Sequence, residues 1–395
     1  MDDYQVDLVI IGGGLSGAAL LRALAPTGLR ILMIDSQDFF KPQETSKDGR
    51  SLTLSIASVR ILQSLGLWSE LVTSAAPIHT IHVSEQGRFG SACLESPDQS
   101  PLGYVVPIQQ LVQALYRGLD RQMVWAPATV TAFDSKQRVV TVQMGEQIRR
   151  IQATLFVAAD GSHSSMRALC HLPVRVKEYG QHALVTHIDL ARAHQNIAYE
   201  RFTASGPLAL LPLAPKRMGV VWSLLPEVAQ RMVQLDDLAF LQELAQVFGY
   251  RLGRFTAVGS RMTYPLRQML MSDPVYAESV VFIGNAAHTL HPVAGQGFNL
   301  GLRDVAMLAQ IIKHSELHDP TLLARYQQAR QHDQTAIARL TDGLTTLYAH
   351  SGLGVRVARQ VGLLVLDNNR LLKRILARYA SGLAGVVPDL VCGMS

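Results

Sequence analysis

Asp7 to Gly17 reads DLVIIGGGLSG, an apolar run that passes directly into glycines. The run from Val6 to Ile11 is apolar apart from Asp7 and predicts a parallel strand buried on both faces, while the segment AALLRALA beyond it has helical spacing and good helix formers. Between them lies a G-x-G-x-x-G spacing, at Gly12, Gly14 and Gly17. In dinucleotide-binding folds these glycines allow a tight turn, backbone approach to a pyrophosphate and close packing of helix on strand. The stretch therefore predicts a pyrophosphate site at a helix N-terminus, where free N–H groups favour negative charge.

A second strand-like run, LRILMID at residues 29–35, ends in an acidic residue. Asp35 follows Gly17 at about the spacing where these folds place an acid that accepts hydrogen bonds from the adenosine ribose. An acid there disfavours a 2′-phosphate. The predicted cofactor is therefore FAD or NAD rather than NADP, and the rest of the chain must distinguish the two.

Two further motifs follow strand-like runs later in the chain. DGSHSSMR at residues 160–167 comes after the run TLFVAA. GNAAH at residues 284–288 comes after SVVFI, and the chain continues through Pro292 to GQGFNLGLRD at residues 295–304. Asp160 ends a predicted strand and so stands at the carboxyl edge of the sheet, where open α/β folds bind ligands.

In order and spacing, the three motifs resemble those of the aromatic hydroxylases, the family of FAD-dependent monooxygenases that includes para-hydroxybenzoate hydroxylase. The resemblance covers about the first 345 residues. It implies an α/β chain, α+β overall, with a Rossmann-like FAD-binding domain, an inserted mixed β-sheet substrate domain and C-terminal helices. The implied boundaries are residues 1–75, 100–177 and 265–345 for the FAD-binding domain, 76–99 and 178–264 for the substrate domain, and 346–395 for the C-terminal helical segment.

Several features resemble a narrower group, the 2-polyprenyl-6-methoxyphenol hydroxylases of ubiquinone biosynthesis. Asn285 stands where the wider family usually has Asp. That exchange removes a charge and adds donors, so FAD binding is expected to survive while the electrostatic tuning of the flavin is in question. The other matching segments are DGRSLTLSIASVRILQSLGLW at 48–68, ERFTASGPLALLPL at 200–213, VVWSL at 220–224 and TYPLR at 263–267.

The resemblance assigns FAD contacts to all three motifs and to Arg50, whose guanidinium suits phosphate or ribityl oxygens. A helix predicted to begin near Leu300 would direct N–H groups at the flavin ring and stabilise negative charge on the reduced cofactor. Two alternatives stay open: an exposed loop charge for Arg50 and a helix N-cap for Asp160. The predicted contacts are Gly12, Gly14, Gly17, Asp35, Arg50, Asp160, Gly161, Arg167, Gly284, Asn285, Pro292, Gly295, Gln296, Gly297 and Asn299.

The resemblance also implies the chemistry. NADH or NADPH reduces the flavin, which forms a C4a-hydroperoxide with dioxygen and passes one oxygen atom to an electron-rich ring, while the protein excludes water and orients that ring. Pro292 and His288 are the predicted catalytic residues, with Pro292 as a rigid wall at the flavin face. For His288 a structural role bonding nearby backbone is favoured, and His291 is a further candidate. We predict no single essential side-chain base.

Substrate contacts are expected on the strands of the inserted sheet. An apolar set suits an aromatic ring with an isoprenoid tail, because each buried methylene contributes about 0.8 kcal/mol. The alternative is ordinary core, and about half of the set is expected to line a pocket. The set is Phe202, Pro207, Leu208, Leu210, Leu211, Pro212 and Trp222.

The predicted function is therefore FAD-dependent hydroxylation of a small hydrophobic polyprenylated phenol in ubiquinone biosynthesis, with dioxygen as co-substrate and other proteins of that pathway as partners. Two alternatives remain: a hydroxylase of the same fold for another ring position or another aromatic substrate, and a catalytically degenerate flavoprotein scaffold. A halogenase is disfavoured, because Trp68, Trp125 and Trp222 are too scattered for that group's W-x-W-x-I-P segment.

Composition excludes other classes of protein. The 395 residues are 48% hydrophobic and 17% charged, enough for a large core and two domains. Cys93, Cys170 and Cys392 lie too far apart for a disulfide framework or a metal cluster. The net charge of +5 comes without a Lys/Arg run or aromatic-basic alternation, so no nucleic-acid partner is predicted.

The C-terminal segment SGLGVRVARQVGLLVLDNNRLLKRILARYASGLAGVV, residues 351–387, mixes apolar stretches with basic residues. A basic amphipathic helix lies on a membrane or docks on a partner, but a helix that covers the core is favoured. We expect a cytoplasmic protein, with peripheral contact at the inner membrane as the alternative. The basic residues are Arg356, Arg359, Arg370, Lys373, Arg374 and Arg378.

Overall fold

A computed structural model of the chain contains a central parallel sheet built around β1 (Asp3–Ile11). β1 pairs in parallel with β2 (Ile31–Ile34) on one side and with β11 (Gln147–Ala158) on the other. Leu8 and Ile10 pack into one hydrophobic core and Val9 into a second, so both faces of the strand are buried, as its continuous apolar run predicts. The structure describes residues 3–40, 50–96, 98–349, 353–383 and 387–393.

The runs that precede the second and third motifs are also strands of this sheet. Phe156 of β11 pairs in parallel with Val280 of β19 (Val280–Phe282), so all three motifs leave the sheet at its carboxyl edge. The eight-stranded sheet runs in the spatial order β18 (Val275–Tyr276), β19, β11, β1, β2, β8 (Val124–Trp125), with β10 (Val139–Met144) paired to β11 and β9 (Thr129–Asp134) paired to β10.

Two helices face the first core. The predicted helix after the glycines is α1 (Leu15–Leu24), and it packs against α8 (Gln296–Lys313). α8 begins one turn before the predicted Leu300. Gly295, at φ 59°, caps it in a left-handed conformation, and the Asn299 side chain donates a hydrogen bond to the Gly295 carbonyl at 2.7 Å, so the glycine-rich loop becomes the first turn.

A second, nine-stranded sheet carries the predicted substrate strands. It is mixed, because β13 (Ile197–Phe202) and β5 (Thr80–Glu85) pair in parallel while the other pairs are antiparallel. One face packs on α6 (Pro226–Gln234) and α7 (Asp237–Phe248). Its strands, in order, are β20 (His288–Thr289), β17 (Met262–Leu270), β12 (Arg175–Leu190), β15 (Arg217–Leu224), β14 (Pro207–Ala214), β13 (Ile197–Phe202), β5 (Thr80–Glu85) and β6 (Ser91–Glu95), with β16 (Phe255–Val258) paired to β12.

A small sheet of β3 (Ser51–Ser55), β7 (Gly103–Pro107) and β4 (Ala76–Ile78) links the two large sheets, since β3 contacts α8 and both β4 and β7 contact β14. This arrangement confirms the predicted fold class, whereas the exact domain boundaries stay a prediction. The remaining helices are α2 (Ile56–Ser64), α3 (Trp68–Leu71), α4 (Ile108–Tyr116), α5 (Ser165–Leu169), α9 (Leu322–Ala349), α10 (Leu353–Asn368), α11 (Arg370–Ala380) and α12 (Asp389–Cys392). Within the described ranges, none of the helices combines the length and the apolar character needed to cross a bilayer.

Candidate active site

Of the three motif glycines in the turn after β1, two leave no room for a side chain and one does. A Cβ on Gly12, which has φ +100°, would lie 2.6 Å from the Ala159 carbonyl, and a Cβ on Gly17 would lie 1.8 Å from the Gly12 oxygen. A Cβ on Gly14 would meet nothing within 4 Å. Gly12 and Gly17 are therefore required by packing, while Gly14 borders open space at the N-terminus of α1.

Asp35 and a tyrosine hold this turn in place. Asp35 Oδ2 accepts a hydrogen bond from Gly13 N at 2.5 Å, and Oδ1 accepts one from Gln37 N at 2.6 Å. Burial raises the pKa of Asp35, and the two backbone hydrogen bonds oppose that rise. The Tyr116 hydroxyl, from the end of α4, donates to the Gly13 carbonyl at 2.5 Å. Sequence reasoning missed Tyr116, because nothing in the local pattern of α4 marks it as a partner of a turn so distant in the chain.

The second motif is tied to the third. Asp160 Oδ2 accepts hydrogen bonds from Ser165 Oγ and Met166 N, both at 3.0 Å, while its Oδ1 is buried without a partner among the described residues. The capping side chain of α5 is Ser164. Arg167 donates to the carbonyl oxygens of Ser162 at 2.7 Å and of Ala286 at 2.9 Å, so it fixes one motif against the other.

The third motif is a loop held in place by hydrogen bonds to a buried carboxylate. The N–H of Gly284 donates to Asp304 Oδ2 at 3.1 Å, and Nε2 of the fully buried His288 lies 2.5 Å from the same oxygen. His291 is also buried, its Nδ1 accepts from Val293 N at 3.2 Å, and burial lowers its pKa to about 4. The predicted catalytic role of His288 is therefore corrected: it positions the loop through a carboxylate, and neither histidine lines the cavity described below.

Asn299 is also buried, and its side chain makes hydrogen bonds to other residues of the chain. Its Oδ1 accepts from Ser55 N at 2.8 Å and Ser58 Oγ at 2.7 Å, and its Nδ2 donates to the carbonyls of Thr53 and Gly295. The amide is thus occupied in joining β3 to α8 and is not directed at a ligand. Gln296 is buried beside it and does not line the cavity.

Two cavities share Gly14, Ala159 and Gly161 and together form one elongated site. The first, of about 460 Å³, is lined by Gly12, Asp35 and Asp160 among others. The second, of about 500 Å³, extends to the third motif and to the second sheet. Its walls include Arg50, Asn285, Pro292, Gly295, Gly297, Phe298, Ala198, Glu200, Ala209, Leu211 and Val221. The site therefore brings most of the predicted cofactor contacts together.

The strand residues that face this cavity are mostly not those predicted. Leu208, Leu210 and Trp222 lie on the opposite face of the second sheet, packed in the core with α6 and α7. Leu211 lines the cavity as expected. Phe202 stacks on Tyr348 with ring centroids 3.3 Å apart, and Pro207 and Pro212 are buried outside the lining. Side chains alternate along a strand, so Ala209 and Val221 replace their neighbours in the wall.

The residues present fit a dinucleotide with a large ring system: an open glycine at a helix N-terminus, an acid beyond the turn, and a continuous space from Asp35 to Pro292. A family model described as an FAD binding domain matches residues 5–341. The chain belongs to the FAD-dependent aromatic hydroxylases. Members of this group bind FAD and use NADH or NADPH as co-substrate, which confirms the predicted cofactor class.

Other members of the group resemble the chain over nearly its whole length. Ubiquinone hydroxylase UbiL of Rhodospirillum rubrum is 34% identical over 399 aligned positions, which cover 98% of this chain and 92% of the relative. The 3-demethoxyubiquinol 3-hydroxylase of Escherichia coli is 28% identical, with 97% of this chain and 100% of the relative covered.

Solved structures of monooxygenases support the fold. The crystal structure of p-nitrophenol 4-monooxygenase from Pseudomonas putida superimposes with a TM-score of 0.78 at 16% sequence identity, covering 98% of this chain and 99% of that one. A structure of PqsL from Pseudomonas aeruginosa gives a TM-score of 0.72 at 21% identity over 91% and 99% of the two chains.

Proposed function

We propose that this FAD-dependent hydroxylase acts on the aromatic ring of a polyprenylated phenol, of the 2-polyprenyl-6-methoxyphenol type, in ubiquinone biosynthesis. The observation that carries the proposal is the elongated site, which has a glycine turn at one end and the apolar wall of Ala209, Leu211 and Val221 at the other. The names of the relatives from R. rubrum and E. coli support the pathway. Even part of an isoprenoid tail contributes more to the binding free energy than a single polar contact, because each buried methylene contributes about 0.8 kcal/mol.

FAD, when bound, supplies the activation of dioxygen and the transfer of one oxygen atom to the ring. The residues of the chain bind and orient. The backbone N–H groups of the turn and the N-terminus of α1 would hold the pyrophosphate, and the open space at Gly14 would admit it. Asp35 lines the first cavity and would accept hydrogen bonds from the ribose. Arg50 borders the second cavity and would stabilise anionic oxygens of the cofactor there.

The first turn of α8 would bind the flavin ring. Gly297 and Phe298 lie in the wall of the cavity, and the N–H groups of a helix N-terminus stabilise negative charge in a site shielded from water. Pro292 is the rigid wall beside them, and Asn285 supplies an uncharged amide. The apolar strand residues exclude water and fix the position of the substrate ring.

The test is single-turnover and steady-state assay of the FAD-loaded protein with NADH or NADPH, labelled dioxygen and a short-chain 2-prenyl-6-methoxyphenol. We expect cofactor oxidation to rise on addition of the phenol and one labelled oxygen atom to appear in the product. Hydroxylation of a non-prenylated aromatic in preference to the prenylphenol would favour the alternative substrate class. Peroxide release without any hydroxylated product would favour the degenerate scaffold.

We also propose that the helical pair α10–α11 contacts an anionic membrane surface, where a polyprenylated substrate resides. Arg370, Arg374 and Arg378 form an exposed basic stripe on α11, next to an apolar stripe that includes Leu371, 65% exposed. A helix that only covered the core would bury such a stripe. Arg359 is excluded from the surface, because it is buried and pairs with Glu85 at 2.8 Å. The other exposed apolar residues are Val357, Val361, Leu364, Val365, Leu372, Ile375 and Tyr379.

A further inference from the structure

Glu200 is an acidic residue in the apolar wall of the second cavity. It lies in β13, where residues alternate between the two faces of the sheet. Tyr199 turns to the opposite face and packs edge-to-face on Phe248, whereas Ala198 and Glu200 line the cavity. The residue paired with Glu200 across β14 is Ala209, and the residue paired across β5 is Val83. The strands on either side therefore offer the carboxylate no opposite charge.

The carboxyl group of Glu200 is buried and not neutralised. Its Oε1 has no hydrogen-bond partner in the part of the chain that the structure describes, and the side chain as a whole keeps some exposure because it borders the cavity. Burial raises the pKa of Glu200 to about 7, since desolvation disfavours the charged form. An unpaired buried carboxylate is costly and is retained where a ligand supplies its partner.

Among the described residues that line this cavity, Glu200 is the acidic one. Among the described residues that line this cavity, the ionisable side chains are Arg50, Tyr199 and Glu200, and the Tyr199 ring faces the other side of the sheet. His288 and His291 lie behind the loop. Glu200 is thus the carboxylate that a phenolic hydroxyl would meet in this space.

We propose that Glu200 is the general base that takes the proton from the ring hydroxyl of the phenolic substrate. The proposal rests on the proposed function and names the residue that activates its substrate. The phenolic O–H bond breaks, the electron pair stays on the phenolate oxygen, and the proton forms a new O–H bond on the Glu200 carboxylate. The negative charge thereby moves onto the ring, which becomes a better nucleophile towards electrophilic oxygen. A base whose pKa is near the working pH combines a useful ionised fraction with adequate basicity.

Ionisable groups in the surroundings of Glu200 come from three elements and from the segment before β3. Burial, together with the charges of Glu85 and Glu200, raises the pKa of Tyr348 of α9 to about 12. Glu85 of β5 and Arg359 of α10 lie next to Tyr348 and neutralise each other as an ion pair. Arg50 lines the same cavity. The proposal departs from the sequence-based prediction of no single essential base.

The experiment compares Glu200→Gln and Glu200→Asp with Glu95→Gln, an exposed glutamate of the same sheet, in FAD-loaded protein with 2-prenyl-6-methoxyphenol. We expect Glu200→Gln to lower kcat for hydroxylation by about 10² to 10⁴ and to abolish the rising limb of the pH–rate profile near pH 7. Glu200→Asp should recover part of the rate and keep a rising limb. Glu95→Gln should match the wild type. An unchanged rate and rising limb in Glu200→Gln would overturn the proposal.

A second readout does not depend on turnover. Infrared difference spectra of wild type and Glu95→Gln should contain a carboxylic acid C=O band that titrates with a midpoint of about 7 and shifts when the phenol binds, whereas Glu200→Gln should lack it. A band that is absent from wild type, or that ignores the bound phenol, contradicts the assignment. If wild type binds the phenol and shifts the band but yields no hydroxylated product, the proposed reaction fails while the proton acceptor stands.

Discussion

His288 Nε2 and Asp304 Oδ2 lie 2.5 Å apart with both side chains completely buried. Arg330 Nε donates to the other carboxylate oxygen of Asp304 at 2.8 Å, and Gln334 Nε2 donates to it at 3.0 Å. Because Asp304 also holds the N–H of Gly284, one carboxylate on α8 connects the third motif to α9. A buried network of hydrogen bonds and ion pairs, which lies outside the cavity lining, therefore positions the loop at the candidate flavin site.

Asp304→Asn should destabilise the protein by about 3 kcal/mol, since the buried guanidinium of Arg330 loses its fully buried partner and keeps only the charge of Asp333, 2.7 Å away. Desolvation alone would raise the pKa of Asp304, but the charges and hydrogen bonds of His288 and Arg330 lower it well below its usual range. A depressed pKa contributes stability above the unfolded-state pKa of about 4 that is lost as the pH falls further. Urea unfolding should show the gap between variant and wild type narrowing below about pH 4.

The matched control is Asp189→Asn, which breaks a partly exposed pair with Arg217 at 2.6 Å. Exposed pairs contribute about 0 to 1 kcal/mol, so this variant should unfold close to wild type. Equal losses in the two variants would mean that burial of the Asp304 network is unimportant.

The sequence predicts the local parts of the site better than the distant ones. The turn at Gly12 and Gly14 is specified by residues that are neighbours in the chain, so its glycine spacing is sufficient evidence. The choice between Leu210 and Leu211 is different. Both are apolar and both sit on one strand, and which of them faces the cavity depends on which face α6 and α7 cover. A shift of one residue reverses every assignment along the strand.

The sequence also does not predict contacts between residues that are far apart in the chain. Tyr116 and Gly13 are 103 positions apart, and Asp304 and Arg330 belong to different helices. The sequence does not indicate Glu200, because a lone acidic residue in a strand is usually solvent-exposed. Its place in the cavity wall depends on how the sheets assemble.

Gly14→Ala and Gly17→Ala should separate cofactor binding from folding. A methyl group on Gly17 overlaps the Gly12 oxygen, so Gly17→Ala should lose about 1–3 kcal/mol of stability as an overpacked variant. A methyl group on Gly14 enters open space, so Gly14→Ala should keep the apoprotein stability and weaken FAD binding at least about tenfold. Flavin fluorescence titration and thermal unfolding of the apoprotein measure the two effects. Gly343→Ala, on the exposed side of α9, should change neither binding nor fold.

Tyr116→Phe tests the hydroxyl that holds the turn. The ring packs against Phe39 and Phe40 and remains in the variant, but the buried Gly13 carbonyl loses its donor. Such a loss costs about 1–3 kcal/mol, and a looser turn should raise the Kd for FAD as well. Tyr104→Phe is the control, because the Tyr104 ring packs edge-to-face on Trp68 and its hydroxyl makes no hydrogen bond within the described chain. Equal FAD affinity and stability in both variants would remove Tyr116 from the site.

Leu371→Ser with Ile375→Ser tests the membrane surface of α10–α11. These side chains are 65% and 44% exposed beside the basic stripe of α11. Burying a leucine or isoleucine side chain in lipid gains about 1.5–3 kcal/mol, so the double variant should partition at least about tenfold more weakly onto phosphatidylglycerol vesicles in co-sedimentation. Binding of the wild type should fall as salt screens the arginines and should be weaker on phosphatidylcholine. Leu238→Ser with Tyr250→Ser removes apolar groups that are more exposed, 68% and 78% accessible, from another part of the surface and should bind like wild type. If the two double variants bind equally well, α11 is not the contact, and a protein partner becomes the better explanation of its exposed apolar stripe.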